Sequence, residues 1–469
     1  MRRTLIASAI LLLLVSVGCN NSKPKRTQSS TSGGVTSGTG GVTSGTNGGS
    51  GPVASTGPVI SASARIAPQT VGLALRLSNG GADPLSLSAI TISAAGSIDE
   101  STAIGGLALI GDDNGNGAIE QGEPSLGSRA APAFAADDGS AAITLTTPVT
   151  IAPGASLNLI VAAELSPTGA AAFALIGKTL DLSVAAAADI VATSNGQAAT
   201  IGGSYPLGGA PVTLFLHDHL LITELVVSAT AEYMEIANPT AQTVDLSTYY
   251  LSEQQDYNGV ADYYRVPQGA GFDPRQSTDY IVRFPAGATI APGQVITVAV
   301  LGAEFAADYG QAADYAVVAG GGAVQMLHAD QSSPAVWSAT PNFTAPLLVR
   351  AENVVLFTWD GQSDLVKDVD VVQPGPPNTT NHPVDKGNVS IDGPDAGTTP
   401  STYPPETPLA QRAFTLDPPA AAGTHALQRI DFTETGEVTA NGSGITGHDE
   451  TSEPVDTTFI LGAPTPGQP

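Results

Sequence analysis

The sequence predicts an all-β chain, two tandem antiparallel β-sandwiches that follow an export leader and a disordered tether. Three observations carry this. Apolar residues alternate with polar ones in many short runs, Gly, Pro, Asn and Asp separate those runs, and hardly any segment offers a capped helical pattern.

Residues 1–18, "MRRTLIASAILLLLVSVG", place Arg2 and Arg3 before an apolar run too short to span a membrane stably, as an export signal does. Small residues then lead into Cys19, the single cysteine of the chain. This resembles the lipobox of bacterial lipoproteins, with Ser16 where the family usually has Leu. The resemblance implies that Cys19 is diacylated and becomes the mature N-terminus, and that Asn20 after it directs the protein to the outer membrane or cell surface. Residues 19–57, rich in Ser, Thr and Gly, have little to bury and read as a flexible tether. About 410 residues follow, enough for two or three domains without disulfides.

The first domain is expected over residues 58–215. Its strands are residues 59–67, 70–78, 141–147, 156–165 and 179–187, and in "TVGLALRLS" the residues Val71, Leu73, Leu75 and Leu77 fall on one face. This layout resembles an immunoglobulin-like module of bacterial surface proteins.

The second domain is expected over residues 217–469. In "EYMEIAN" Tyr233, Glu235 and Ala237 share one face and Met234 and Ile236 the other, the pattern of a half-exposed strand. Residues 304–316 are the best helical candidate. "ENVVLFTWDGQSDLVKDVDVV" reads as two strands about a bend at Trp359, Asp360 and Gly361, with Asp368 and Asp370 on a solvated face. Glu224, "EYMEIANP", "VDLSTYYL", "FPAGATIAPGQVITVAV", "ALQRID" and "PTPGQP" together resemble a lamin tail domain, itself immunoglobulin-like. Residues 254–276 and 373–422 are insertions relative to that family.

One loop has the pattern of a metal site. Residues 109–127, "LIGDDNGNGAIEQGEPSLG", fit D-x-[DN]-x-[DN]-G-x5-E, with Asp112, Asn114, Asn116 and Glu123 as side-chain ligands, Ala118 offering its carbonyl and Glu120 at the water-bridged position. Hard oxygens in that order suit calcium, and Gly117 permits the sharp turn. The flanking helices of an EF-hand are missing, so the expectation is a structural calcium loop between strands. Weaker candidates are His217 and His219 in "HDH", His448, Asp449, Glu450 and Glu453 in "GHDETSE", and Asp385, Asp392 and Asp395.

Charge narrows the partners. Five of the 17 Lys and Arg lie at or before Arg26, leaving 12 against 43 acids in the rest. Such a surface repels phosphate backbones, which argues against nucleic acid. No G-x-S-x-G, H-E-x-x-H or P-loop is present. The sequence therefore points to a non-enzymatic lipoprotein, bound to the membrane through its N-terminal lipid and acting as a binding, adhesion or envelope-structural module for a protein or glycan. The alternative is a metal-dependent hydrolase built from the acids and histidines of the second-domain insertions.

Overall fold

The computed structural model describes residues 51–227, 229–254, 263–269, 279–330, 333–338, 353–375, 384–416 and 425–468. The leader, Cys19, nearly all of the tether, most of the first insertion and a smaller part of the second lie outside the described residues. The protein is mostly β, as expected. Among the described residues no helix is long and apolar enough to cross a membrane.

One continuous sheet forms the first domain. Its strands run from edge to edge as Val53–Thr56, Thr70–Ser78, Ser156–Glu164, Gly106–Gly111, Ser125–Arg129, Ser140–Ile151, Leu85–Gly96, Thr179–Val184, Val212–Phe215 and Ser63–Arg65. Ile190–Ser194 adds to Leu85–Gly96. Alternation fills the interior with Leu73, Leu75, Leu77, Leu87, Ile90, Ile92, Leu159 and Val161, all buried. Burying each such side chain is worth about 1.5–3 kcal/mol, so a core of this kind can stand without disulfides. The sheet curls over on itself at Gly72, where a Cβ would lie 2.6 Å from the Leu182 side chain. A side chain there would hold the two strands apart. Two expectations change. Order begins inside the expected tether, because Val53–Thr56 pairs with Thr70–Ser78, and the expected strand at residues 59–67 shortens to Ser63–Arg65, which pairs in parallel with Val212–Phe215.

Two sheets face each other in the second domain. The first is Val324–Gln325, Tyr315–Val318, Val295–Leu301, Tyr233–Ala237, Leu221–Val226, Ala426–Arg429 and Phe459–Gly462. The other is Ser333–Ser338, Leu327–Asp330, Tyr280–Arg283, Tyr249–Gln254, Asn353–Thr358 and Lys367–Val372. Between them lie Leu225, Met234, Ile236, Leu251, Val282, Val298 and Leu356. The helix expected within residues 304–316 is Gly302–Tyr309, capped by Gly310 at φ 70°. It connects Val295–Leu301 to Tyr315–Val318, which pair in parallel, so this sheet is not wholly antiparallel.

The helix also overturns the half-exposed reading of residues 233–237. All five are buried, with Tyr233 packed edge-on against Phe305 and Tyr309 at 5.3 Å each. The two domains are not separate beads. Leu216, Leu221, Ala237 and Phe432 join the core cluster of the first domain, and Phe173 meets Phe432 at 5.5 Å. Residues 49–469 accordingly form one compact unit.

Candidate functional site

The loop at residues 112–123 leaves the strand Gly106–Gly111 and returns as Ser125–Arg129, so strands flank it on both sides. Asp112 is buried and organises it. Its Oδ1 accepts from the amides of Gly115 and Asn116 at 2.6 and 3.1 Å, and its Oδ2 from that of Gly117 at 3.0 Å. Gly115 and Gly117 have φ of 73° and 76°, a left-handed backbone that suits glycine. Asn114 and Asn116 accept from the amides two residues on, the Asx-turn habit, while their own amide groups donate to the Glu120 carboxylate at 2.7 and 2.8 Å. Glu123 Oε2 accepts from the Glu120 amide, and its Oε1 is buried without a partner. The fold thus gives the loop its expected place between strands. In the conformation described, its polar groups largely satisfy one another.

A second cluster is larger and lies where the two domains meet. His217 and His219 come from the segment joining the domains, Asp370 from Lys367–Val372 and Arg429 from Ala426–Arg429. The closing segment supplies Glu434, Glu437, Glu450 and Glu453. Every one of these side chains is buried. Arg429 bonds Asp370 at 2.8 Å and Glu453 at 2.5 Å and lies 3.7 Å from Glu434. Both His217 and His219 aim Nε2 at the same Glu434 oxygen, at 3.0 and 3.2 Å. Both are ion-pair approaches, that of His219 bonded to the Glu434 charge, and neither Glu434 oxygen has a well-directed donor.

The sign of the local charge follows from the composition of this cluster. Five carboxylates face one guanidinium, so burial weighs on the acids. Burial pushes Glu453 up to about 8 against the pull of Arg429, and burial with the Glu434 charge pushes Glu437 to about 8. Burial raises Asp370 to about 6 and Glu450 well above the carboxylate range. Glu434 goes the other way. Burial opposes its ionisation, but His219, His217 and Arg429 hold it down to about 2. Of the two imidazoles, burial takes His217 down to about 3, whereas the Glu434 charge overrides burial and carries His219 up to about 9.

A third cluster ties the insertion at residues 384–412 to the second sheet. Lys386 is fully buried and its Nζ donates to Asp368, Glu406 and, at 3.1 Å, the Tyr263 hydroxyl. Burial works against its charge, but Asp368 and Glu406 hold its pKa well above the ordinary lysine value. Arg412 completes the group, donating to Glu406 at 3.0 Å and to the Val384 carbonyl at 2.6 Å.

The sequence candidates sort accordingly. Asp368 and Asp370 are not on a solvated face but are the buried anions of two ion networks. The fold brings "HDH" together with Glu450 and Glu453 of "GHDETSE", while His448 pairs with Glu437 at 3.0 Å near the surface. Asp449 instead caps a turn, accepting from Thr451 and Thr407. Asp385 and Asp395 sit in separate turns on the amides of Gly387 and Gly397, and Asp392 is exposed, so these three do not converge. Sequence reasoning missed Glu434, Arg429, Lys386 and Glu406. Scarcity was the available signal, since each of the 12 bases after Arg26 is a rare counter-charge.

No family model matches the chain, and no curated protein matches it. Among solved structures, a DUF4876 family protein from Bacteroides thetaiotaomicron aligns with 79% of this chain and 94% of its own length, at 11% identity and a TM-score of 0.32.

Proposed function

We propose that the protein is a lipoprotein held in the bacterial cell envelope through Cys19, at the outer membrane or cell surface, whose fused β domains act as a non-enzymatic binding or structural module. The second of these domains is read as lamin-tail-like on the strand motifs given above. The observation that carries the reading is the placement of the titratable groups. The histidines and acids that gather do so in the interior, with His217, His219 and Glu434 no more than 4% exposed, and the acids that remain exposed in the insertion lie in separate turns. A hydrolase needs its acid, base or metal open to substrate in one concavity.

Calcium belongs to the same reading, as a clip on the loop at residues 112–123. Asp112, Asn114, Asn116, Glu120 and Glu123 offer carboxylate and amide oxygens, Ala118 adds its carbonyl, and the buried, unpartnered Glu123 Oε1 is a ligand atom in need of a cation. Calcium there would fix the loop without opening anything, because no helices flank it. The proposed ligand is a protein or glycan. Nucleic acid is excluded from the proposal because acids outnumber bases 43 to 12 after Arg26.

The test is fractionation followed by capture. The full chain should partition with membranes and Cys19→Ser should release it, since multiple acyl chains anchor stably where one binds marginally. Cys19→Ser protein that stays in the detergent phase overturns the anchoring. The released form should then retain its ligands from envelope extract without turning over ester, phosphoester or glycosidic substrates.

A further inference from the structure

We propose that His217, His219 and Glu434 bind a divalent transition-metal ion, zinc by preference, which staples the segment joining the two domains to the closing segment of the chain. This goes beyond the reading of the protein as an anchored module and does not depend on it.

The donor atoms already converge. His217 Nε2 and His219 Nε2 lie 3.0 and 3.2 Å from Glu434 Oε2, and the three side chains are 4%, 0% and 1% exposed. Tetrahedral zinc with bonds of 2.0–2.1 Å places its ligand atoms about 3.3 Å apart, so only small shifts separate this arrangement from a coordination shell. His219 already pairs with the Glu434 carboxylate. His217 Nδ1 is buried without a hydrogen-bond partner, and His219 Nε2 and the Glu434 oxygens are held by ion-pair contacts instead of well-directed hydrogen bonds.

The outer contacts agree. His219 Nδ1 lies 2.9 Å from the Leu220 carbonyl, and a proton on Nδ1 leaves the Nε2 lone pair for a metal. Glu434 is held in place by a left-handed backbone, φ 50°, which a residue with a side chain adopts only where the surroundings enforce it. His217 also borders a cavity of 330 Å³ together with Ser63, Asp218 and Gln242, whereas His219 and Glu434 lie behind its lining.

Two imidazoles and one carboxylate also discriminate among ions. Calcium and magnesium ask for six or more oxygens, whereas imidazole suits zinc, copper, nickel and iron. The junction site and the loop at residues 112–123 would therefore sort two kinds of cation.

The experiment uses the full chain in detergent, stripped with chelator and dialysed against zinc chloride or cobalt chloride alone. Elemental analysis should find one zinc per chain retained, and the cobalt form should show the intense visible absorption of a tetrahedral site. His219→Ala and the isosteric Glu434→Gln should each weaken zinc retention by more than the roughly ten- to hundred-fold that changes outside the coordination shell produce. Asp112→Asn with Glu123→Gln should leave it unchanged. Failure of the unmodified chain to retain zinc, a cobalt spectrum without tetrahedral bands, or zinc retention that survives both ligand substitutions would each overturn the proposal. The reading on unmodified protein decides even where a variant fails to fold.

Discussion

The two domains bury different things. Inside the first, the only buried side chains that carry charge are Glu100 and Asp112 among the described residues, and Leu, Ile, Val, Ala and Phe do the rest. The second buries Lys386, Arg412 and Arg429 together with more than ten carboxylates, threaded between its apolar clusters. Both are β folds, the first with strands of up to 12 residues and the second with strands of at most 7. The difference teaches that strand patterning decides the layers, whereas the content of the interior decides what conditions the layers will tolerate. An apolar core answers to cavity volume, a charged one to protons, ions and the loss of single partners.

The largest effect should come from breaking the charged interior. Arg429→Met leaves Asp370 and Glu453 buried without their cation and should cost about 3–5 kcal/mol in urea unfolding. Adding Asp370→Leu and Glu453→Leu to it should recover much of that loss. If the triple variant is no better than the single one, pairing is not what the guanidinium supplies. In the apolar domain Leu159→Ala should cost about 2–4 kcal/mol, with the same value at pH 6 and pH 9.

Proton dependence sharpens the contrast. Burial, together with the charges of Glu224 and Asp314, raises Glu235 to about 9 even though the Gly467 amide donates to it. Its folded pKa therefore exceeds the ordinary carboxylate value, so the folded state holds a proton that the unfolded state has released. The contribution is complete below about pH 4.5 and is lost as pH rises through about 9. Between pH 6 and 9 the melting temperature should fall by an amount worth on the order of 4 kcal/mol from this group, and Glu235→Gln should flatten that part of the slope. A slope unchanged in Glu235→Gln would assign it to other acids.

Calcium should give the smallest effect. At millimolar concentration, a site with a weak extracellular-type affinity should add about 1–2 kcal/mol, read as a shift in melting temperature. Asp112→Asn with Glu123→Gln should remove that shift. An identical response to chelator in the native and doubly substituted chains would make the loop a turn and nothing more.

Local pattern found what local physics decides. The strand Thr70–Ser78 is where alternation put it, and the loop at residues 112–123 lies between strands because nothing helical flanks it. Asp368 and Asp370 show what such a pattern cannot hold. Alternation with Val369 and Val371 is the signature of a wet face, yet Lys386 and Arg429, which make that face dry, lie 18 and 59 residues further along the chain. The burial of Tyr233 and Glu235 was hidden for the same reason, since Gly302–Tyr309 and the Gly467 amide that cover them come from elsewhere. "HDH" and "GHDETSE" were visible as words. Their meeting through Glu434 depends on how the closing segment returns over the junction.

The short strand Val53–Thr56 has a mechanical consequence. It is the outermost member of the first sheet, held to Thr70–Ser78 by the pairing of Val53 with Ser78 through Thr56 with Leu75, and beside it the Ala54 amide donates to the Gly202 carbonyl and the Gly202 amide to that of Pro52. A pull arriving through the chain ahead of Val53 falls first on these few contacts. Directed along the strand it shears them together and meets their combined resistance. Directed across the sheet it peels them one at a time, and the remaining strands, the shared core at Leu216 and Phe432 included, carry no load until the edge has come away.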